Sequence, residues 1–243
     1  MRELEVRIRR LLEEKAEEEY RIFSARLTPT EYEILGVRMP WQKSIAKEVV
    51  KRESREMSDY LDNANPASFE ELNVYGLSVA YARLNDQEKM KYMDRYFGLI
   101  DNWASCDSIV CACKFVGKKA DTYRVFVSRL AFDDSPFVAR AGIVMMMTYY
   151  LDNEYIDEVL REITKIDAKH YYVSMAIAWL VATALAKNWD KTISLLENRL
   201  LDKDTHNRAI SKARESYRIE SWQKEYLKGL KDEGANKNSD APV

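Results

Sequence analysis

Ile100-Asp-Asn-Trp-Ala-Ser-Cys-Asp107 is the stretch against which the rest of the chain is read. Trp103 and Asp107 are four residues apart, so on a helix they project from one face, one turn apart. Arg140 follows Trp103 by 37 residues, and Trp179 follows Arg140 by 39. Two-helix repeats of the HEAT type recur at roughly 40–47 residues, and positions one period apart line the same surface of such a stack. The spacing therefore predicts a concave face shared by Trp103, Asp107, Arg140 and Trp179. Each also has a plain structural reading: Trp179 as core, Asp107 as a cap or a local ion-pair partner.

The segments on either side fit a helical stack. Residues 2–26 form a charged stretch with Leu4, Ile8, Leu11 and Leu12 at helical spacing, which predicts one helix. Leu27–Pro40 contains two prolines and Gly36 and reads as a turn-rich connection, with Pro40 in the first turn of a helix over 41–58. Ser68 with Glu71 makes a capping box for a helix over 69–84, followed by one over 86–98. Further helices are expected over 102–116, 121–131, 137–151, 152–164, 170–187, 190–201, 204–217 and 220–230. Tyr155, Ile156, Val159, Leu160 and Ile163 should face inward, and the apolar run after His170 should be well buried. About a dozen helices in antiparallel pairs predict an all-α fold, an α-α superhelix forming one domain over 1–230. Residues 231–243 (KDEGANKNSDAPV) read as a disordered tail.

Composition narrows the function classes. The chain has 243 residues, 47% apolar and 32% charged, with only 7 Gly and 5 Pro, which favours helices joined by short turns. The charged N-terminus reads as neither a signal nor a transit peptide, and no apolar run is long enough to span a membrane. Three clustered cysteines, Cys106, Cys111 and Cys113, read as reduced thiols of a cytoplasmic protein. His170 and His206 have no metal-ligand spacing, so neither a metal nor a cofactor is expected. No phosphate-binding glycine loop or nucleophile elbow is present. The formal net charge of −2 argues against a simple nucleic-acid binder. Locally, however, Lys114, Lys118, Lys119, Arg124 and Arg129 face only Asp121 within 114–129. Phosphate binding depends on such a local field. Arg208, Lys212, Arg214 and Arg218 make the late helix basic as well, and a solvated basic face is the plain reading of both clusters.

Several stretches carry a family resemblance: Leu35-Gly-Val-Arg-Met-Pro40, Asn102-Trp-Ala-Ser-Cys-Asp107, Ala139-Arg-Ala-Gly-Ile-Val144, Ala176-Ile-Ala-Trp-Leu180 and Arg208–Arg218. In this order and spacing, over about residues 34–218, the chain resembles the DNA alkylation repair proteins of the AlkD type, which are HEAT-like superhelices. The resemblance implies a monomeric DNA glycosylase of base excision repair acting on alkylated double-stranded DNA, without cofactor, metal or membrane. It places catalytic roles on Trp103, Asp107, Arg140 and Trp179. Asp107 would stabilise the cationic sugar, the two indoles would face the charged sugar and base, and Arg140 would hold a nearby phosphate. Lys114, Lys118, Arg208 and Lys212 are the expected DNA-backbone contacts. The chain departs from the family at Leu27, where an aromatic residue is expected, with Phe23 and Tyr32 nearby, and at Ala182, where an arginine is expected. The rival reading is a non-catalytic HEAT-repeat module that binds DNA or protein.

Overall fold

The computed structural model describes residues 3–51 and 54–232, without the side chains of 54 and 55. These residues form fifteen helices and no strand, with one isolated bridge between Glu33 and Ser68. The fold is all-α. Contacts group the chain into two compact units, Met1–Met145 and Met146–Val243.

In the first unit the expected N-terminal helix is two helices, α1 (Glu3–Glu13) and α2 (Glu18–Leu27). The break falls in the acidic run, where Glu13/Glu17 and Glu14/Glu18 would stack like charges four residues apart. At the break the Glu17 N–H donates to the Gly36 carbonyl (3.0 Å), outside any helix. The helix expected over 41–58 is also divided, into α3 (Met39–Val49) and α4 (Ser54–Asn63). It follows the β-branched pair Val49-Val50, which propagates a helix poorly. Then come α5 (Phe69–Tyr81), which starts at the expected Ser68/Glu71 capping box, and α6 (Asp86–Phe97), which starts at a second box from Asn85 and Glu88. The helix expected over 102–116 separates into α7 (Trp103–Val110) and α8 (Lys114–Lys118). Between them the Ala112 and Cys113 N–H groups donate to Ile109 and Val110 (2.9 and 3.0 Å), a tightened final turn. α9 (Ala120–Ala131) and α10 (Pro136–Tyr149) follow.

α5 is buried along nearly its whole length and packs against α3, α6 and α7, while α1 packs on α3 and α5. Its second residue, Glu70, is a buried carboxylate that fixes the connection between α2 and α3. It accepts the N–H groups of Leu35 (2.9 Å), Gly36 (2.8 Å) and Val37 (3.1 Å). Burial raises the Glu70 carboxyl above its ordinary range, and the three backbone donors pull it back down. Gly36 sits at φ +87°, and a Cβ there would come within 2.5 Å of the Glu17 carbonyl. Only glycine lets this strap lie against the start of α2.

The second unit contains the end of α10, then α11 (Ile156–Ile163), α12 (Tyr171–Lys187), α13 (Trp189–Glu197), α14 (Lys203–Glu215) and α15 (Ser221–Gly229). Tyr155, Ile156, Val159, Leu160 and Ile163 are buried, as their spacing predicts. α12 is apolar almost all round and packs most extensively on α14. His206 is buried with Nε2 2.9 Å from the Leu230 carbonyl, and His170 caps α12, so both histidines have structural partners. Residues 231 and 232 continue past α15, with the Asp232 N–H donating to Asn207 (2.9 Å). The rest of the expected tail, 233–243, lies outside the described residues.

Replacing Glu70 with Gln should destabilise the first unit by about 1–3 kcal/mol, because an amide cannot accept all three backbone donors. Urea denaturation of the wild type and Glu70→Gln checks this. Equal stability would show that the strap does not depend on the carboxylate.

Candidate active site

Asn102 is the N-cap of α7, accepting the Ser105 N–H (2.8 Å), as expected of an asparagine before a helix. Its amide donates to Asp101 (2.8 Å), and Asp101 in turn accepts the Thr30 hydroxyl (2.8 Å) and the Glu31 N–H (2.7 Å). The start of α7 is thereby tied to the segment that leaves α2. Trp103 is the first residue of α7, and its indole N–H donates to the Leu27 carbonyl at the end of α2 (3.2 Å). The indole is half-buried, with one part held and one part open. Behind α7, the buried Tyr96 hydroxyl donates to the Ser105 carbonyl (3.0 Å). The Tyr96 ring lies against Gly76, where an added Cβ would approach it to 2.6 Å.

Asp107 lies one turn after Trp103 and receives Arg140 through two nitrogens. Nε donates to Oδ1 (2.8 Å) and Nη2 to Oδ2 (2.7 Å), a bidentate ion pair. The two side chains are 18% and 8% exposed, so the carboxylate is the outward end of a nearly enclosed dipole. Arg140 is positioned by α10, whose start is organised by the Ser135 N–H donating to Asp133 (2.9 Å) and by Pro136. Two residues after Arg140, a Cβ on Gly142 would fall 2.2 Å from the Ala131 N. The glycine allows α10 to approach the end of α9 this closely.

The expected residues do not all behave alike. Trp103, Asp107 and Arg140 are brought together in the first unit. Trp179 is on α12 in the second unit and is 39% exposed on a mostly buried helix, so it is not a core residue. Arg140 is committed to Asp107, where the resemblance implied a phosphate contact. Of the basic segment after α7, Lys119 pairs with Asp86 (2.7 Å) and Arg129 with Asp94. Lys114 and Lys118 are exposed and line a groove beside the end of α7. Arg208 donates to the Ser174 hydroxyl (2.7 Å) and lies over the Tyr171 ring (5.4 Å). Lys212 pairs with Glu215 (3.0 Å). At the departures from the family, Leu27 is exposed and contributes its carbonyl to Trp103, and Phe23 is exposed. Tyr32 is spent on the Leu99 carbonyl (3.0 Å).

The cysteines offer no nucleophile. Burial holds the Cys106 thiol well above its ordinary range, with the Asp107 charge adding to the effect. Burial likewise pushes Cys113 up to about 12 and raises the exposed Cys111. Among the described residues no group of three His, Cys, Asp or Glu side chains is arranged to hold a metal. No helix among them is long and apolar enough to cross a membrane. The chemistry available at α7 is electrostatic: a fixed carboxylate one helical turn from a half-buried indole, both of which attract a positive centre.

Sequence reasoning missed what holds Trp103 and Asp107 in place, namely the Leu27 carbonyl and the Arg140 fork. It also missed Lys43, Lys47 and Lys51, whose spacing of four was a legible sign of one basic face. A family model described as DNA alkylation repair enzyme matches residues 8–217. No curated protein matches the chain.

The ion pair should show strong coupling. Asp107→Leu or Arg140→Met alone leaves a largely buried charge without its partner and should cost about 3 kcal/mol or more. The double substitution should lose at least ~2 kcal/mol less than the sum of the singles. Chemical denaturation of the four proteins measures this, and additive losses would mean that the two groups do not depend on each other.

Proposed function

The chain belongs to the DNA alkylation repair enzyme family, and from that premise we propose that it is a DNA glycosylase that removes positively charged N3- or N7-alkylated purines from duplex DNA. The observation that carries this reading is the fixed carboxylate of Asp107, one helical turn from the half-open indole of Trp103. Alkylation at N3 or N7 makes the purine cationic, so its bond to C1′ of the sugar is already weakened. As that bond breaks, its electron pair goes to the purine nitrogen and the base leaves neutral. Positive charge then develops on the sugar as an oxocarbenium-like centre. Asp107 stabilises that charge electrostatically, in the manner of the carboxylates that flank a glycosidic bond. Water then adds to C1′ and gives up a proton, leaving an abasic sugar.

Arg140 acts as a positioning residue in this scheme. Its bidentate grip fixes the plane of the Asp107 carboxylate and removes the cost of reorganising it during the reaction. Trp103 offers an electron-rich face to the cation, worth about 0.5–2 kcal/mol. The resemblance also implies a catalytic role for Trp179, which is exposed on α12 of the second unit. The HEAT-like superhelix belongs to the same proposal, and consecutive packing of α3 on α5 and α5 on α7 supports it.

Release of 7-methylguanine from methylated duplex DNA tests the reading. Wild-type protein should release the base, and Asp107→Asn should lower the single-turnover rate at least tenfold (about 1.4 kcal/mol). Arg140→Lys, which keeps the charge but loses the fork, should fall between them. DNA binding without base release by the wild type would make the chain a non-catalytic module.

A further inference from the structure

A small pocket lies in the first unit where α1 meets α4 and α5, and it encloses about 120 Å³. Ile8 of α1, Tyr60 of α4 and Tyr75 of α5 line it, and Ala64, Pro66 and Ala67 line it from the connection between α4 and α5. The three short side chains of that connection leave the space that longer ones would fill. None of Trp103, Asp107, Arg140 or Trp179 belongs to the pocket.

Glu5, Arg9 and Glu71 complete the lining, and their charges are engaged within the protein. Arg9 pairs with Glu13 (2.6 Å) and Glu33 (2.8 Å). Glu71 accepts the Ala67 and Ser68 N–H groups (2.9 Å each), and Glu5 accepts the Asn65 N–H (3.1 Å). A pocket built for an ion would hold an opposite charge in reserve for it. This one does not.

Tyr60 is the side chain that structure alone does not explain. The other buried tyrosines of the first unit all spend their hydroxyls. Tyr75 donates to the Leu61 carbonyl (2.9 Å), Tyr92 to Asp62 (3.1 Å), Tyr96 to the Ser105 carbonyl (3.0 Å) and Tyr123 to Asp86 (2.8 Å). Tyr60 is only 4% exposed, yet its hydroxyl makes no hydrogen bond with any described residue. It also differs from the orphaned polar atoms of Gln42, Asn73 and Ser78, which are fully enclosed, because it keeps access to the pocket. A tyrosine hydroxyl taken from water without a partner is destabilising, and phenylalanine would fill the same space without that cost. Burial, and after it the neighbouring Tyr75, Glu71 and Glu5, holds this hydroxyl well above its ordinary range, so it remains a donor.

Size limits what the donor can meet. A cavity of about 150 Å³ takes up benzene, whereas drug-sized ligands occupy roughly 300–1,000 Å³. The pocket therefore has room for one ring. We propose that it binds a small neutral molecule of single-ring size, apolar except for one acceptor that takes the hydrogen bond from Tyr60. Water is the poorer match, since a buried water makes about three hydrogen bonds and the other polar side chains here are already engaged. A ligand so placed touches α1, α4 and α5 together and stabilises the first unit. The inference is independent of the glycosylase reading.

The test uses pyridine, at a pH where it is uncharged, and benzene as the same ring without an acceptor. Each is titrated into the full-length wild type and Tyr60→Phe, with the Ala64 and Ala67 amide resonances as the readout. Wild-type protein should bind pyridine roughly three- to tenfold more tightly than benzene, the worth of one hydrogen bond. Tyr60→Phe should lose that preference, bind benzene as the wild type does, and melt no lower without probe. Base release from methylated duplex should be the same in both proteins. No shift at Ala64 and Ala67 with millimolar probe would reduce the pocket to a water-filled gap and overturn the proposal. Equal affinity for the two rings, or a preference that survives in Tyr60→Phe, would overturn the role of the hydroxyl. A lower melting temperature of Tyr60→Phe would show that the hydroxyl already has a partner. Tighter binding of N-methylpyridinium than of pyridine would overturn the neutral ligand.

Discussion

Two parallel hydrogen bonds from Arg140 to Asp107 are the constraint on which the site depends. A carboxylate this enclosed is costly to keep ionised without a partner, and an enclosed guanidinium is equally costly. Together they satisfy one another, and the carboxylate remains the more exposed end. A mobile carboxylate at the surface would be screened by water and would have to reorient toward a developing charge. Held by a planar fork, Asp107 is already oriented. The same geometry leaves Arg140 poorly placed to act as a free phosphate ligand.

The pair is supported from two sides by backbone approaches that only glycine permits. Gly142 brings α10 against the end of α9 and so sets the height of Arg140. On the other side Glu70 holds the strap containing Gly36, the strap holds the start of α2, and the end of α2 accepts the Trp103 indole. The buried Glu70 is far from any chemistry in sequence, yet it is three linked contacts from the tryptophan. Asn102 and Asp101 close the same circuit at the start of α7. Precision at Trp103 therefore comes from polar backbone contacts as much as from apolar packing.

Much of this was legible in the residues. The Ser68/Glu71 box, the Pro136 start and the inward face of α11 stand where capping and periodicity put them. What periodicity could not show was interruption. The breaks between α1 and α2, α3 and α4, and α7 and α8 carry no proline or glycine, and they arise from like-charge stacking, β-branched pairs or tightened turns. The helix count rises from about a dozen to fifteen for that reason. The spacing of Trp103, Asp107 and Arg140 did not reveal the ion pair between Asp107 and Arg140, because a 37-residue interval indicates a shared surface and not a shared hydrogen bond. The charge run after α7 was misleading in a different way. Tertiary partners neutralise Lys119 and Arg129, whereas Lys114 and Lys118 join lysines some seventy residues earlier in the chain.

The role given to Asp107 can be measured without turnover. Duplexes carrying a cationic pyrrolidine in place of the lesion sugar mimic the charge of the oxocarbenium-like centre, and a tetrahydrofuran is their neutral counterpart. If Asp107 stabilises that charge, wild-type protein should bind the cationic duplex at least tenfold more tightly than the neutral one, about 1.4 kcal/mol. The preference should disappear in Asp107→Asn while affinity for the neutral duplex is kept. Equal affinity of the wild type for both duplexes would contradict an electrostatic role for the carboxylate.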